Sequence, residues 1–237
     1  KIEKEKMGGL LAVNKGSMDP PTFTIMRYSP NNAVNSQPIV LVGKGLVYDT
    51  GGLNLKPGDY MNDMKEDMAG AAMMASALYA VACLGLPINI IGLFPATDNR
   101  PCGNAYASGD IINMYDGTNV EVVNTDAEGR MILADALAYA KGLSPKLLVD
   151  AATLTGAAAR AIGSFGIASI QQNAEQYMSL LKQSGETVYE RIAEFPFWEE
   201  YDELIKSDIA DIKNCGIAEA GMITAGKFLA HFTDYPY

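Results

Sequence analysis

The chain has 237 residues, of which 49% are hydrophobic and 19% are charged; this composition excludes disordered, collagen-like and coiled-coil proteins, and the length suits one large domain. Lys and Arg number 18 against 28 Asp and Glu, which gives a net charge of −10. Binding a nucleic-acid backbone depends on clustered cations, so this charge argues against a nucleic-acid partner and suits carboxylate sites for cations.

The first part of the chain is predicted to contain short strands around one long helix. Residues 10–13 and Thr22–Tyr28 are predicted as strands on either side of a turn rich in Gly, Asp and Pro. Ile39–Gly43 is an apolar run typical of a strand buried on both faces. Ala and Met at helical spacing predict a buried helix over residues 68–84, and residues 88–94 are predicted as the next buried strand.

The second part continues the alternation of strands and helices. Strands are predicted over residues 119–123 and 146–151, and helices over residues 132–140, 175–182, 187–192, 198–204 and 223–232. From residue 39 onward this order predicts an α/β fold, with a mostly parallel or mixed central sheet and helices on both faces. In such folds the active site lies at the carboxyl ends of the strands.

Histidine and cysteine are too few for several kinds of site. His231 is the only histidine and has no Ser elbow or reactive Cys near it in sequence, so His-dependent nucleophilic catalysis and His-rich zinc sites are excluded. The three scattered cysteines, Cys83, Cys102 and Cys215, fit a reducing compartment, and we expect a cytoplasmic protein. No apolar run reaches the length of a membrane span.

One candidate cluster follows the strand predicted at residues 119–123. Residues 124–130 read Asn-Thr-Asp-Ala-Glu-Gly-Arg. Asp126 and Glu128 are two apart, so in an extended chain both carboxylates point to one place. Alternatively, Asp126 caps the following helix, Glu128 lies in its first turn and Arg130 is solvated.

Two further clusters also adjoin predicted strands or helices. Residues 43–52 form a glycine-rich segment with Lys44 and Asp49, but they lack the GxxxxGK[ST] pattern, and Asp49 would repel phosphate. A flexible turn is the alternative for this segment. Lys56 by itself resembles a surface lysine, and Asp67 could simply cap the helix that begins beside it.

Taken together, the clusters predict a metal centre. Parallel topology brings strand-to-helix junctions to one edge of a sheet. Four carboxylates gathered there, those of Asp49, Asp67, Asp126 and Glu128, cannot all stay ionised without counter-cations. Two divalent ions are the natural solution, and oxygen ligands suit Mg²⁺, Mn²⁺ or Zn²⁺ without selecting among them.

The same residues resemble a known family. Residues 124–130 resemble the signature of the leucyl aminopeptidase (cytosol aminopeptidase) family, and residues 43–52 resemble its metal-binding loop. Residues 64–68, 150–156 and 210–214 also fit, in the right order, so the resemblance covers nearly the whole chain. It implies a dinuclear metal-dependent aminopeptidase that hydrolyses N-terminal residues, leucine and other apolar residues among them, from peptides.

The resemblance also implies a ligand set for two metal ions, Zn²⁺ or Mn²⁺ with Mg²⁺ or Co²⁺ as alternatives. Asp49 and Glu128 would bridge the ions. Lys44 and Asp67 would complete the tighter site, and Asp126 the more exchangeable one. Lys44 could act as a ligand only as a neutral amine, so the adjacent dications would have to depress its pKa.

Catalytic and substrate roles follow from the same resemblance. A metal-bridged hydroxide would attack the peptide, with Lys56 as the electrophile that polarises the scissile carbonyl. Arg130 would hold a bicarbonate ion as the general base, and the free α-amine of the substrate would bind a metal. Met64, Thr153 and Gly156 would line the side-chain pocket, although core packing is an equal alternative for Met64.

The resemblance sets expectations for the whole protein as well. Residues 1–237 would be a catalytic metallopeptidase domain without the family's N-terminal domain, and we expect the C-terminal end to be incomplete because the family pattern continues past Tyr237. The family forms homohexamers, so the full-length protein is expected to do the same. Some members bind DNA, but no basic cluster beyond residues 1–6 favours that here.

Overall fold

The described part of the chain forms ten strands, seven α-helices and three short 3₁₀ helices. The structure is a computed structural model and describes residues 2–237. Its strands are β1 (Thr22–Tyr28), β2 (Ile39–Gly43), β3 (Gly45–Asp49), β4 (Ile90–Asn99), β5 (Ile111–Asn113), β6 (Asn119–Glu121), β7 (Leu147–Ala151), β8 (Ile167–Ser169), β9 (Ile192–Glu194) and β10 (Ile212–Lys213). Its α-helices are α1 (Ile2–Glu5), α2 (Gly8–Asn14), α3 (Ala69–Cys83), α4 (Glu128–Lys141), α5 (Gly156–Ile162), α6 (Glu175–Val188) and α7 (Gly221–Ala230), with 3₁₀ helices at Gly58–Met61, Met64–Glu66 and Glu199–Ile205.

The central sheet is mixed, which confirms the predicted α/β fold. Its strands run in the order β1-β4-β2-β7, and β3 pairs with the end of β4. β2 is parallel to β4 and β7, and β3 is parallel to β4, whereas β1 is antiparallel. The parallel strands β2, β4 and β7 therefore end at the same edge of the sheet.

Helices cover both faces of this sheet. Along β2, Val40 and Val42 belong to the large core cluster that includes α2 and α4. Leu41 belongs instead to a smaller cluster with Met74 and Leu78 of α3. Because neighbouring side chains of a strand point to opposite faces, this alternation buries β2 on both sides.

The prediction of a strand at residues 10–13 was wrong, because these residues lie in α2. A short apolar run cannot be assigned to a helix or a strand by its pattern alone. Here the backbone N–H of Leu10 donates to the carboxylate of Asp135 over 2.9 Å. The partner that satisfies this end of α2 thus lies in α4, far away in sequence.

The other helix and strand predictions differ mainly in their ends. The prediction of a helix over residues 187–192 was wrong: α6 ends at Val188, Tyr189 adopts a left-handed conformation, and Ile192–Glu194 forms β9. Residues 198–204 fall almost entirely within a 3₁₀ helix rather than an α-helix.

In the described range 2–237, no helix combines the length and apolar character needed to span a membrane.

The strand at β6 lies outside the central sheet. It pairs with β5 and β10 in a separate small sheet. The junction that carries Asp126 and Glu128 therefore follows a strand of this second sheet. It lies next to the edge of the central sheet, although β6 forms no strand pair with that sheet. The following helix, α4, begins at Glu128, four residues earlier than predicted.

Candidate metal centre

The glycine-rich segment at residues 43–52 contains the whole of strand β3. After β2 ends, Lys44 connects directly to β3, whose last residue is Asp49. The backbone N–H of Lys44 donates to the carbonyl of Ala151 at the end of β7. A Cβ on Gly43 would lie 2.4 Å from the Cα of Ala71, so the absence of a side chain lets α3 approach β2 closely. Lys44 and Asp49 are both buried by this arrangement.

Carboxylates from three parts of the chain converge at this edge. Single oxygen atoms of Asp49, Asp126 and Glu128 all lie within 4.8 Å of one another. Asp67 joins them through Lys44, whose Nζ lies 2.8 Å from Asp67 Oδ2 and 2.8 Å from Glu128 Oε1. The structure therefore brings together all four carboxylates that the sequence analysis selected.

A second lysine lies on the more open side of the cluster. Lys56 Nζ is 2.9 Å from Asp49 Oδ2 and 2.6 Å from Asp126 Oδ1. The side chain of Asp126 is 32% exposed, whereas that of Glu128 is 2% exposed. The cluster thus has a buried end at Lys44 and an accessible end at Lys56, so an incoming ligand reaches the Lys56 end first.

Burial and mutual charge shift the pKa values of the group. Burial raises the pKa of Glu128 to about 7, with Asp49 and Asp67 adding to the rise and Lys44 opposing it. Burial also raises the pKa of Asp67 and of Asp126. A carboxyl with a raised pKa lacks sufficient compensating positive charge, so this site favours cations.

The lysines respond in the opposite sense to the acids. Burial lowers the pKa of Lys44, but the carboxylates of Glu128 and Asp67 outweigh burial, and the net pKa is raised. The pKa of Lys56 is also raised, because the hydrogen bonds to Asp126 and Asp49 outweigh its burial. The direction at Lys44 is opposite to the depressed pKa implied for a metal-bound lysine. Because the carboxylates alone favour the ammonium form, cation binding at Lys44 must release a proton.

The donor set fits divalent cations. Glu128 Oε2 is buried and has no hydrogen-bond partner in the described part of the chain. Buried polar atoms nearly always have a hydrogen-bond partner. An unpaired carboxylate oxygen within an acidic cluster is therefore available to coordinate a cation. Gly129 leaves room for the side chain of Lys44, since a Cβ at this position would lie 2.5 Å from Cε of Lys44.

Arg130 lies in the first turn of α4, next to the cluster, but it forms no ion pair with an acidic side chain of the described residues. It is 5% exposed, and its Nη1 donates to the carbonyl of Asn214 over 2.8 Å. Its Nε has no partner, and no ion pair to Arg130 forms among residues 2–237. Burial lowers its pKa. A buried guanidinium with a free donor can bind a small anion.

The three expected pocket residues lie on two segments. Thr153 follows β7, is exposed, and donates its hydroxyl to Asp67 Oδ1 over 2.7 Å. Gly156 is the exposed first residue of α5, after the capping residue Thr155. Met64 begins a 3₁₀ helix and is partly exposed, and it belongs to neither core cluster.

Sequence reasoning missed a buried asparagine in the centre. Asn99 ends β4, is 1% exposed, and donates to Asp49 Oδ1 (2.9 Å) and to the carbonyl of Thr125 (3.1 Å). The strand was predicted to end at residue 94, whereas β4 continues to Asn99. A polar residue at the carboxyl end of a longer buried strand is the signal that could have found it.

Comparisons with known proteins agree on one family. The model of the cytosol aminopeptidase family, catalytic domain, matches residues 1–237. A probable cytosol aminopeptidase of Chlorobium limicola is 51% identical over 234 residues, which is 98% of this chain and 46% of that protein. One of Chlorobaculum parvum is 52% identical over 235 residues, 99% of this chain and 46% of that protein.

A solved structure is also similar. The bottromycin maturation enzyme BotP superimposes with a TM-score of 0.91 at 35% identity, covering 99% of this chain and 50% of that one. The chain spans about half the length of the curated relatives it matches.

Proposed function

The chain belongs to the cytosol aminopeptidase family, and on that premise we propose that residues 1–237 form the catalytic domain of a metal-dependent aminopeptidase that removes N-terminal residues from peptides. The observation that carries this proposal is the convergence of Asp49, Asp126 and Glu128 within 4.8 Å. A buried group of acids with raised pKa values and an unpaired oxygen suits a centre of divalent ions.

The proposed ligands follow the two ends of the cluster. Asp49 and Glu128 would contribute to both metal sites, Lys44 and Asp67 would complete the buried one, and Asp126 would complete the accessible one. Zn²⁺ or Mn²⁺ are the proposed ions, with Mg²⁺ or Co²⁺ as alternatives. When bound, such ions polarise the scissile carbonyl and make water a better nucleophile near neutral pH.

The protein's own residues supply the remaining steps. Lys56 is 14% exposed in its side chain and sits at the accessible end, so its ammonium can donate to the oxygen of the scissile carbonyl as negative charge develops there. Arg130 offers a buried, unpaired Nε to a small anion, which we propose to be bicarbonate. That anion accepts the proton of the attacking water.

Substrate recognition combines charge and shape. We propose that the free α-amine of the peptide binds at the acidic cluster, and that Met64, Thr153 and Gly156 contact the side chain of the first residue. Leucine and other apolar residues are the expected substrates. Apolar contacts of this kind discriminate weakly between similar side chains, so specificity is broad.

The setting of the enzyme is proposed on the same premise. The relatives carry the name cytosol aminopeptidase, which supports a cytoplasmic location. We propose peptides as partners, a homohexamer for the full-length protein, and no role in nucleic-acid binding, as the net charge of −10 suggests.

Blocking the substrate's amine tests the proposed function. We expect hydrolysis of leucine amides to fall by about a thousandfold when the α-amine is acetylated, because the amide nitrogen is a poor donor and the substrate loses its alignment. The measurement is the rate on leucine p-nitroanilide against its N-acetyl form, with metal-reconstituted protein. Equal rates on the two substrates would exclude an aminopeptidase and leave another metallohydrolase.

A further inference from the structure

Asn214 lies directly after β10, beside the centre, and has no role in the ligand set. It is 0% exposed. Its Oδ1 accepts hydrogen bonds from the backbone N–H groups of Val123 (2.8 Å) and Asn124 (3.3 Å), and its Nδ2 donates to the carbonyl of Asn124 over 2.8 Å. The side-chain amide of Asn214 therefore forms its hydrogen bonds with the loop between β6 and α4.

This loop needs a partner from elsewhere in the chain. Residues 123–127 form neither helix nor strand, so side chains from other segments must satisfy most of their backbone groups. Asn124, once fixed by Asn214, accepts the backbone N–H of Asp126 through its own Oδ1 over 2.8 Å. The position of Asp126 thus depends on Asn214 through one intervening residue.

The same asparagine holds the guanidinium. The carbonyl of Asn214 accepts the hydrogen bond from Arg130 Nη1, and no other hydrogen bond of the Arg130 side chain is formed within residues 2–237. One residue therefore holds the loop of Asp126 through its side chain and Arg130 through its main chain.

We propose that Asn214 is a positioning residue for the reaction, one that fixes the Arg130 guanidinium relative to the Asp126 carboxylate. The proposal rests on the proposed function for its kinetic part only. Asparagine suits this task because it alone, at this size, offers a neutral acceptor and a donor side by side. Aspartate has the same shape and keeps the acceptor, but it loses the donor to Asn124 and places a charge against that carbonyl.

The chain offers a matched control at the opposite edge of the sheet. Asn35, which precedes β2, donates through Nδ2 to the carbonyls of Gln37 (2.8 Å) and Asn89 (2.9 Å) and accepts the N–H of Asn89 (2.8 Å). It makes the same kind of bonds to backbone groups, at the amino end of the strands and away from Arg130.

The experiment compares Asn214→Asp with Asn35→Asp in the metal-reconstituted protein. For Asn214→Asp we expect kcat to fall by about a hundredfold with KM changed less than about threefold, because a loop that moves the Asp126 carboxylate away from the guanidinium affects chemistry more than binding. Calorimetric titration with Mn²⁺ should show the weaker site bound about tenfold less tightly. Asn35→Asp should alter only the thermal midpoint.

The proposal is overturned if Asn214→Asp, like the control, lowers the thermal midpoint while leaving kcat and Mn²⁺ affinity unchanged. If Asn214→Asp does not fold, Asn214→Ser removes both the acceptor and the donor of the amide without adding charge, and it is compared with Asn35→Ser. If the wild-type protein hydrolyses no peptide, the proposed function fails, and the Mn²⁺ titration still decides the role of Asn214.

Discussion

At the residue scale, each of two lysines forms ion pairs with two of the four carboxylates of the centre. Lys44 is enclosed by Asp67 and Glu128, and it also donates to the carbonyl of Thr153 over 2.9 Å. Lys56 is bound only by Asp49 and Asp126 and is the more exposed of the two. Two ammonium groups cannot neutralise four carboxylates, and burial makes the remaining charge costly. The difference in enclosure supports the proposal that Lys44 is a metal ligand and that Lys56 meets the substrate.

This division predicts different outcomes for neighbouring substitutions. Lys56→Ala and Arg130→Ala should lower kcat by about a hundredfold or more while keeping the metals, because each removes a charge from the reacting groups rather than a ligand. Asp49→Ala should empty the site. Elemental analysis and steady-state kinetics measure the two effects, and Lys206→Ala, a side chain 65% exposed, is the surface control. Loss of metal in Lys56→Ala as complete as in Asp49→Ala would refute the assignment.

At the element scale, Asp135 joins parts of the fold that are remote in sequence. This residue of α4 is 0% exposed, and its two oxygens accept the N–H groups of Leu10 in α2 (2.9 Å) and of Tyr115 after β5 (3.0 Å). Because α4 begins with Glu128 and carries Arg130, these bonds also fix the helix that bears these two residues of the centre. Burial raises the pKa of Asp135 to about 7, with the backbone N–H groups opposing the rise.

Removing this carboxyl should destabilise the fold. Asp135→Ala leaves the buried N–H group of Leu10 and the partly buried one of Tyr115 without this acceptor, and we expect a loss of about 3 kcal/mol in the free energy of unfolding. Asp116→Ala, which removes an ion pair to Lys141 on the surface, should cost less than about 1 kcal/mol. Urea denaturation of both variants measures the difference. Equal losses would show that Asp135 does not connect these elements.

The helices and strands also differ in how far the sequence predicts them. The ends of β2 and β7 and the segment at residues 124–130 were predictable, since apolar runs followed by Asp, Glu and Gly are local patterns. The helix α2 and the bond between Arg130 and Asn214 were not, because their partners lie 125 and 84 residues away. The glycines around residues 45–49 indicate a loop in the sequence, whereas pairing with the distant β4 makes these residues a strand.

At the scale of the whole molecule, the centre depends on contacts between distant segments. Its proposed ligands come from the region of β2 and β3, from the turn that precedes α3 and from the junction between β6 and α4. No local segment holds the full set, so binding of metal and folding must be coupled, and bound metal should stabilise the native chain. The centre and the fold are therefore best tested in the intact protein.

The most direct test of the central claim is the metal content of protein purified without chelators, measured by elemental analysis together with peptidase activity. We predict about two divalent ions per chain, loss of activity when exhaustive dialysis against EDTA removes them, and recovery with Mn²⁺, Co²⁺ or Zn²⁺. Full activity in protein shown to contain no metal would contradict the account.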